Sequence, residues 1–182
     1  MRVINHIKAF LRDSQASVSL EAVLVFPLLI WAYFGMFILF DGYRAMSSNI
    51  RASYTISELL SRGTDQFIDE DYLEGLNDML DVLTQSPHRT VLRVTVVQWD
   101  ESNNEHILQW SESTPGKSGL TEADMATKIE PYMPPMPNGS ELIMVETWMA
   151  FVPFMNITLE PFYFEALTVI RPRGPQLKWN GA

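Results

Sequence analysis

The chain has 182 residues, of which 47% are hydrophobic, with a net charge of −9 and no cysteine. The missing thiols exclude disulfides, thiolate metal sites and cysteine nucleophiles, and the acidic balance excludes the clustered Lys and Arg with which a nucleic-acid partner neutralises phosphates. With the first 43 or so residues set aside as leader and apolar stretch, about 140 remain, enough for one domain with its own core.

The N-terminus is basic, with Arg2, Lys8 and Arg12 against Asp13, and small or polar residues follow at Ser14, Gln15, Ala16, Ser17 and Ser19. Glu21 then stands before an uncharged stretch, Ala22 to Phe40, which as a helix rises about 28 Å and matches a bilayer core of about 30 Å. One transmembrane helix over 17–43 is therefore predicted. Three leader cations face two beyond the span, Arg44 and Arg51, and a long C-terminal domain crosses largely regardless of flanking charge. The N-terminus is accordingly expected in the cytoplasm and the residues after Asp41 outside it. A secretory signal places its small-residue cleavage site after the apolar core. Here the order is reversed, so a cut among the small residues removes only the basic leader and keeps the span.

An ionisable residue at the edge of a membrane helix points to a partner. From its charge alone, Glu21 either meets a cation or simply ends the span at the interface. Pro27 lacks an amide hydrogen and crowds the carbonyl four residues earlier, which predicts a kink near Val23. That kink reads either as a shape feature or as an ordinary membrane-helix proline. Trp31, Tyr33, Phe34, Phe37 and Phe40 read as lipid- or helix-facing, and Tyr43 as an interfacial anchor.

This junction resembles the type IV prepilins of the tight-adherence (Tad) system, whose signals run small residue, cleavage point, four residues, Glu and then the hydrophobic helix. The fuller likeness, over roughly residues 14 to 45, is to TadE-like minor pilins and pseudopilins. It rests on the run Ala16-Ser17-Val18-Ser19-Leu20-Glu21-Ala22 and on Pro27-Leu28-Leu29 within the span. Two positions depart from the pattern: Ala16 stands where Gly is usual, and Ala22 where Phe or Tyr is common. A looser likeness extends to Asp41-Gly42-Tyr43-Arg44 and to the VVQWD and VETW segments. The resemblance implies cleavage between Ala16 and Ser17 by a prepilin peptidase, which makes Glu21 the fifth mature residue. It also implies a structural subunit of Tad/Flp-type IV pilus assembly with a role in adhesion. Its partners would be other Tad pilus subunits and the inner-membrane assembly platform, and it would sit in the bacterial inner membrane with its C-terminal domain periplasmic. Physically, the cut frees an α-ammonium at Ser17, and a carboxylate one helical turn on can pair with it or with the amine of an adjacent subunit. A negative charge in a first helical turn also suits the helix dipole.

Beyond Asp41 the spacing of Tyr43, Met46, Ile50, Tyr54, Ile56 and Leu59-Leu60 predicts that the helix continues out of the bilayer, about 45 residues in all, until Gly63. A second helix is expected from Asp69 to Thr84, with an acidic first turn, an apolar stripe of Tyr72, Leu73, Leu76, Met79, Leu80 and Leu83, and Pro87 to end it. The period then falls to two. Thr90 to Trp99 reads as a strand, a hairpin through Asp100 to Asn104 leads into His106 to Ser111, and Thr121 caps a helix running toward Ile129. Pro131, Pro134, Pro135 and Pro137 form an extended loop closing at Asn138-Gly139, before strands at Glu141 to Phe151 and about Phe162 to Arg171. The fold class expected is α+β: a single N-terminal transmembrane helix extended into a pilin-like domain with an antiparallel sheet and short helices. The chain then divides into a basic leader at 1–16, the span at 17–43 and an extracytoplasmic domain at 44–182.

Chemistry-bearing motifs are sparse. His6, His88 and His106 have no second ligand at a metal-type spacing, and no nucleophile elbow or glycine-rich phosphate loop occurs, so neither metal, cofactor nor catalysis is expected. The acidic run Asp65, Asp69, Glu70 and Asp71 fits a solvated helix start better than a calcium site, and Trp99, Trp110 and Trp148 fit a core or sheet face better than a sugar platform. The sequons at Asn138 and Asn156 carry no weight in a bacterial chain. The alternative to a pilus subunit is an uncleaved single-pass membrane protein with a periplasmic binding domain.

Overall fold

The computed structural model describes residues 14–63, 67–129, 132–133, 136–155 and 160–181. The side chains of 14–17, 126 and 129 are not described. The leader residues 1–13, Asp65, Pro131, Pro134, Pro135 and the sequon at Asn156 thus lie outside the description.

One helix, α1 (Ser14–Arg62), runs for 49 residues, a rod of roughly 70 Å. It stops at Gly63, and its last carbonyls are capped by a distant segment: Ser61 O accepts from the amides of Arg173 and Gly174 at 2.7 and 3.1 Å. That approach demands glycine, since a Cβ at position 174 would lie 2.4 Å from the Gly63 carbonyl oxygen. A two-residue strand β1 (Phe67–Ile68) follows, then α2 (Glu70–Thr84). Asp69 caps α2, its carboxylate accepting from the Tyr72 amide at 2.9 Å, while Glu70 and Asp71 occupy the positive first turn. Gln85 in the left-handed conformation ends it two residues before Pro87.

Four strands form the main sheet: β2 (Val91–Asp100), β3 (Glu105–Ser113), β4 (Glu141–Phe151) and β5 (Phe162–Ile170). They lie in the order β3-β2-β4-β5, each pair antiparallel. The β2–β3 turn is held by Asp100, whose carboxylate accepts from the Ser102 amide and the Asn103 side chain at 2.8 Å each. These bonds, the Ser102 amide first, hold the Asp100 carboxyl below its ordinary range. Alternation along the strands serves two faces. Leu92, Val94 and Val96 of β2 with Ile143 and Val145 of β4 pack against Ile56 and Leu60 of α1 and Leu73, Leu76 and Leu80 of α2. On the other face Val97, Leu142 and Met144 meet Leu120 and Met125 from the β3–β4 connection. Also on that face, Arg93 grips Glu146 through two bonds of 2.6 and 2.7 Å, with both side chains largely buried.

The mixed α+β class and its antiparallel sheet agree with the sequence reading. Two details do not. The segment from Thr121 folds as a 3₁₀ turn (Glu122–Asp124) running into a π turn (Met125–Ile129) rather than an α-helix. Only seven residues separate Thr121 from Ile129, and tertiary anchors at Leu120 and Met125 decide the winding of so short a segment. Second, β1 pairs in parallel with a strand the pattern did not announce, β6 (Lys178–Trp179), with Ile68 opposite Trp179. This small ladder is locked by the Trp110 indole, which donates to Leu177 O at 2.9 Å and packs beside the Trp179 ring at 5.8 Å.

Candidate functional site: the two halves of the long helix and their junction

Most of the first half of α1 has no tertiary cover. It is long and apolar enough to cross a membrane, and none of its most apolar 18-residue window is buried. Leu24, Leu28, Trp31, Met36 and Leu39 all expose more than half of their surface. Ala16 and Ser17 lie in the first helical turn and Glu21 one turn beyond Ser17, so Ser17 and Glu21 share a face by their four-residue spacing. Glu21 is exposed and makes no hydrogen bond or ion pair with any described residue. Pro27 sits inside a helix that runs unbroken past it.

The second half is clamped to the sheet by an unexpected face. Asn49, Ser53, Ser57 and Ser61, four residues apart, are all fully buried. Asn49 Nδ2 donates to Phe164 O at 3.2 Å, and its Oδ1 accepts from the Thr147 hydroxyl at 3.0 Å. The Ser53 hydroxyl shares a 2.9 Å bond with Thr168, and Ser61 donates to Arg171 O at 2.7 Å. Small polar side chains let the helix approach β5 closely while satisfying buried polar groups. The stripe expected from the apolar spacing is mostly not the buried one: Ile56 and Leu60 are buried, but Tyr43, Met46, Tyr54 and Leu59 remain 71%, 42%, 61% and 42% exposed. The signal for this face in the sequence is the i, i+4 repeat of Asn and Ser, which the apolar spacing does not carry.

Where the two halves meet, the end of β4 and the start of β5 bring up aromatic rings. Phe151, Phe162 and Phe164 cluster with centroids 4.9 to 5.5 Å apart. Phe151 and Phe164 lie against Gly42, where a Cβ would meet them at 3.6 and 3.8 Å. Just past β4, the Phe154 ring sits edge-on to Phe37 at 5.4 Å, so this corner of the domain reaches back along the apolar stretch. An apolar groove between these rings and α1 is lined further by Gly35, Ile38 and Leu39.

No family model, curated protein or solved structure matches the chain.

Among the described residues, no three His, Cys, Asp or Glu side chains gather as a metal site. His88 is exposed, and the His106 ring packs at a tilt against Trp99 with centroids 4.6 Å apart. Asp69, Glu70 and Asp71 serve the start of α2 as expected. Trp148 is buried on the sheet face beneath the Arg93 guanidinium, 4.9 Å from its ring, and Trp110 packs in the core wall. Asn138 accepts from the Glu101 amide at 3.1 Å and so braces the β2–β3 hairpin. A cluster of ion pairs, Arg89 with Glu74, Asp78 and Asp81, fastens the α2–β2 loop to α2 and raises the Arg89 pKa, chiefly through its bond to Asp78. Burial pushes the Glu141 carboxyl up, partly offset by Lys178. These groups anchor structure, which leaves α1 and its junction as the candidate site.

Proposed function

We propose that the chain is a TadE-like minor pilin or pseudopilin, a structural subunit in Tad/Flp-type pilus assembly in the bacterial inner membrane. The observation that supports this most is the continuity of α1: one helix carries the small-residue junction, an exposed carboxylate without a partner among the described residues, the apolar stretch and the domain-bearing half. In this reading a prepilin peptidase hydrolyses the Ala16–Ser17 amide. Water adds across the bond, Ala16 keeps a carboxylate, and Ser17 gains an α-ammonium. Glu21, one turn along the same face, then pairs with that ammonium or with its counterpart in an adjacent subunit. The outward residues Tyr43, Met46 and Tyr54 offer apolar area for a neighbouring helix as the subunit joins the assembly.

The test is the intact mass and N-terminal sequence of the protein from membranes with and without the peptidase. A peptidase-dependent start at Ser17 is expected. A chain that keeps its leader in both membranes sinks the proposal and leaves an uncleaved, membrane-anchored binding module.

A further inference from the structure

The helix is not the only part of this chain with an apolar surface at the level where the span ends. Val152, Phe154, Phe162 and Tyr163 are 46%, 52%, 40% and 61% exposed, the first two just past the end of β4 and the last two at the start of β5. Their height along α1 is set by contact. Phe154 touches Phe37, which precedes Phe40, the last residue of the uncharged stretch, by three residues or about 4.5 Å of helix rise. Phe151 and Phe164 touch Gly42, just beyond it. A bilayer that accommodates Ala22–Phe40 therefore meets this rim of the sheet as well.

We infer that the β4–β5 end of the domain is a second, interfacial membrane anchor whose partner is the lipid surface, with Phe154 at the acyl boundary and Tyr163 at headgroup level. The inference rests on the membrane reading of α1. Aromatic rings suit that depth, having an apolar body and tolerating a wet edge. The rim carries both signs of charge, with Arg44 and Asp41 lining it together and Glu160 and Glu165 exposed about the start of β5, so the apolar rings and not the charge point to lipid. The aromatic patch is also continuous with the uncovered half of α1 through a shared groove, so one apolar surface crosses from helix to domain. A domain held at two points keeps a fixed tilt against the membrane instead of swinging on a single helix.

The absence of cysteine makes the test direct. Single cysteines replace Phe154, Tyr163, Leu28 and Ser102 in the full chain, each carrying a nitroxide, in vesicles of phosphatidylethanolamine and phosphatidylglycerol. Collision with oxygen, which concentrates in lipid, is compared with collision with a water-soluble nickel chelate. Labels at 154 and 163 are expected to give an oxygen-to-nickel ratio several-fold above that at Ser102 in the distal hairpin and below that at Leu28. A ratio at both sites equal to that at Ser102, with Leu28 deep, overturns the anchor while leaving the span intact. A Leu28 label open to nickel overturns the span and the anchor together. Labels shielded from both reagents, with spin–spin broadening that fades on dilution by unlabelled chain, overturn the lipid assignment in favour of a second copy. Tyr163, on the strand surface, remains informative if Phe154→Cys loosens the corner.

Discussion

The two halves of α1 are one continuous helix in opposite environments. From Ala22 to Phe37 the residues are apolar and none is buried, whereas from Asn49 to Ser61 the side chains buried most completely include four small polar ones. Apolar character therefore predicts burial in neither half by itself. In the first half the solvent for those side chains is not supplied by this chain, and lipid is the medium that suits them. In the second, an edge strand presents carbonyls and hydroxyls, so the closest approach goes to residues that can bond them.

Substitutions can break this comparison. The largest effect on domain stability is expected from Ile56→Ala, because its side chain is fully enclosed between α2 and the sheet; it should cost about 3 kcal/mol in denaturant unfolding. Leu29→Ala, an equally apolar truncation in the uncovered half, should leave the domain's unfolding midpoint unchanged. Equal losses from the two would mean that the halves share one core. Next comes Ser53→Leu, which adds bulk against β5 and strands the Thr168 hydroxyl, for a loss of about 2 kcal/mol. A gain in stability there would show that the seam tolerates ordinary apolar packing and that its polarity is incidental. The smallest effect on folding is expected from Glu21→Gln, whose exposed carboxylate contacts no described residue: unfolding and membrane insertion should not change, while pilus assembly weakens. Normal assembly in that variant would remove the amine-pairing argument.

Much of the framework was legible because its signals are local. The 3.6-residue period over 69–84 and the two-residue alternation over 90–99 are read within a few turns of the chain, and α2 (Glu70–Thr84) and β2 (Val91–Asp100) fall within a residue or so of those bounds. Within the candidate site, the span, Glu21 and the small-residue junction were equally open to inspection, since membrane length and charge order are properties of linear sequence. The aromatic corner where the two halves of α1 meet was not. Phe154 meets Phe37 across 117 positions, and nothing near either residue announces the other.

By itself the sequence determined that a single uncharged helical stretch has one acidic residue at its mouth and leads into an α+β domain, because helix length, strand alternation and capping are set by neighbours a few positions apart. Only the tertiary structure decided which face of that helix the sheet takes, that Ile68 pairs beside Trp179 near the far end of the chain, and that aromatic rings from β4 and β5 gather at the level where the apolar stretch ends. Those choices depend on hydrogen-bond partners and packing space that come together only when distant segments meet, which no local pattern encodes.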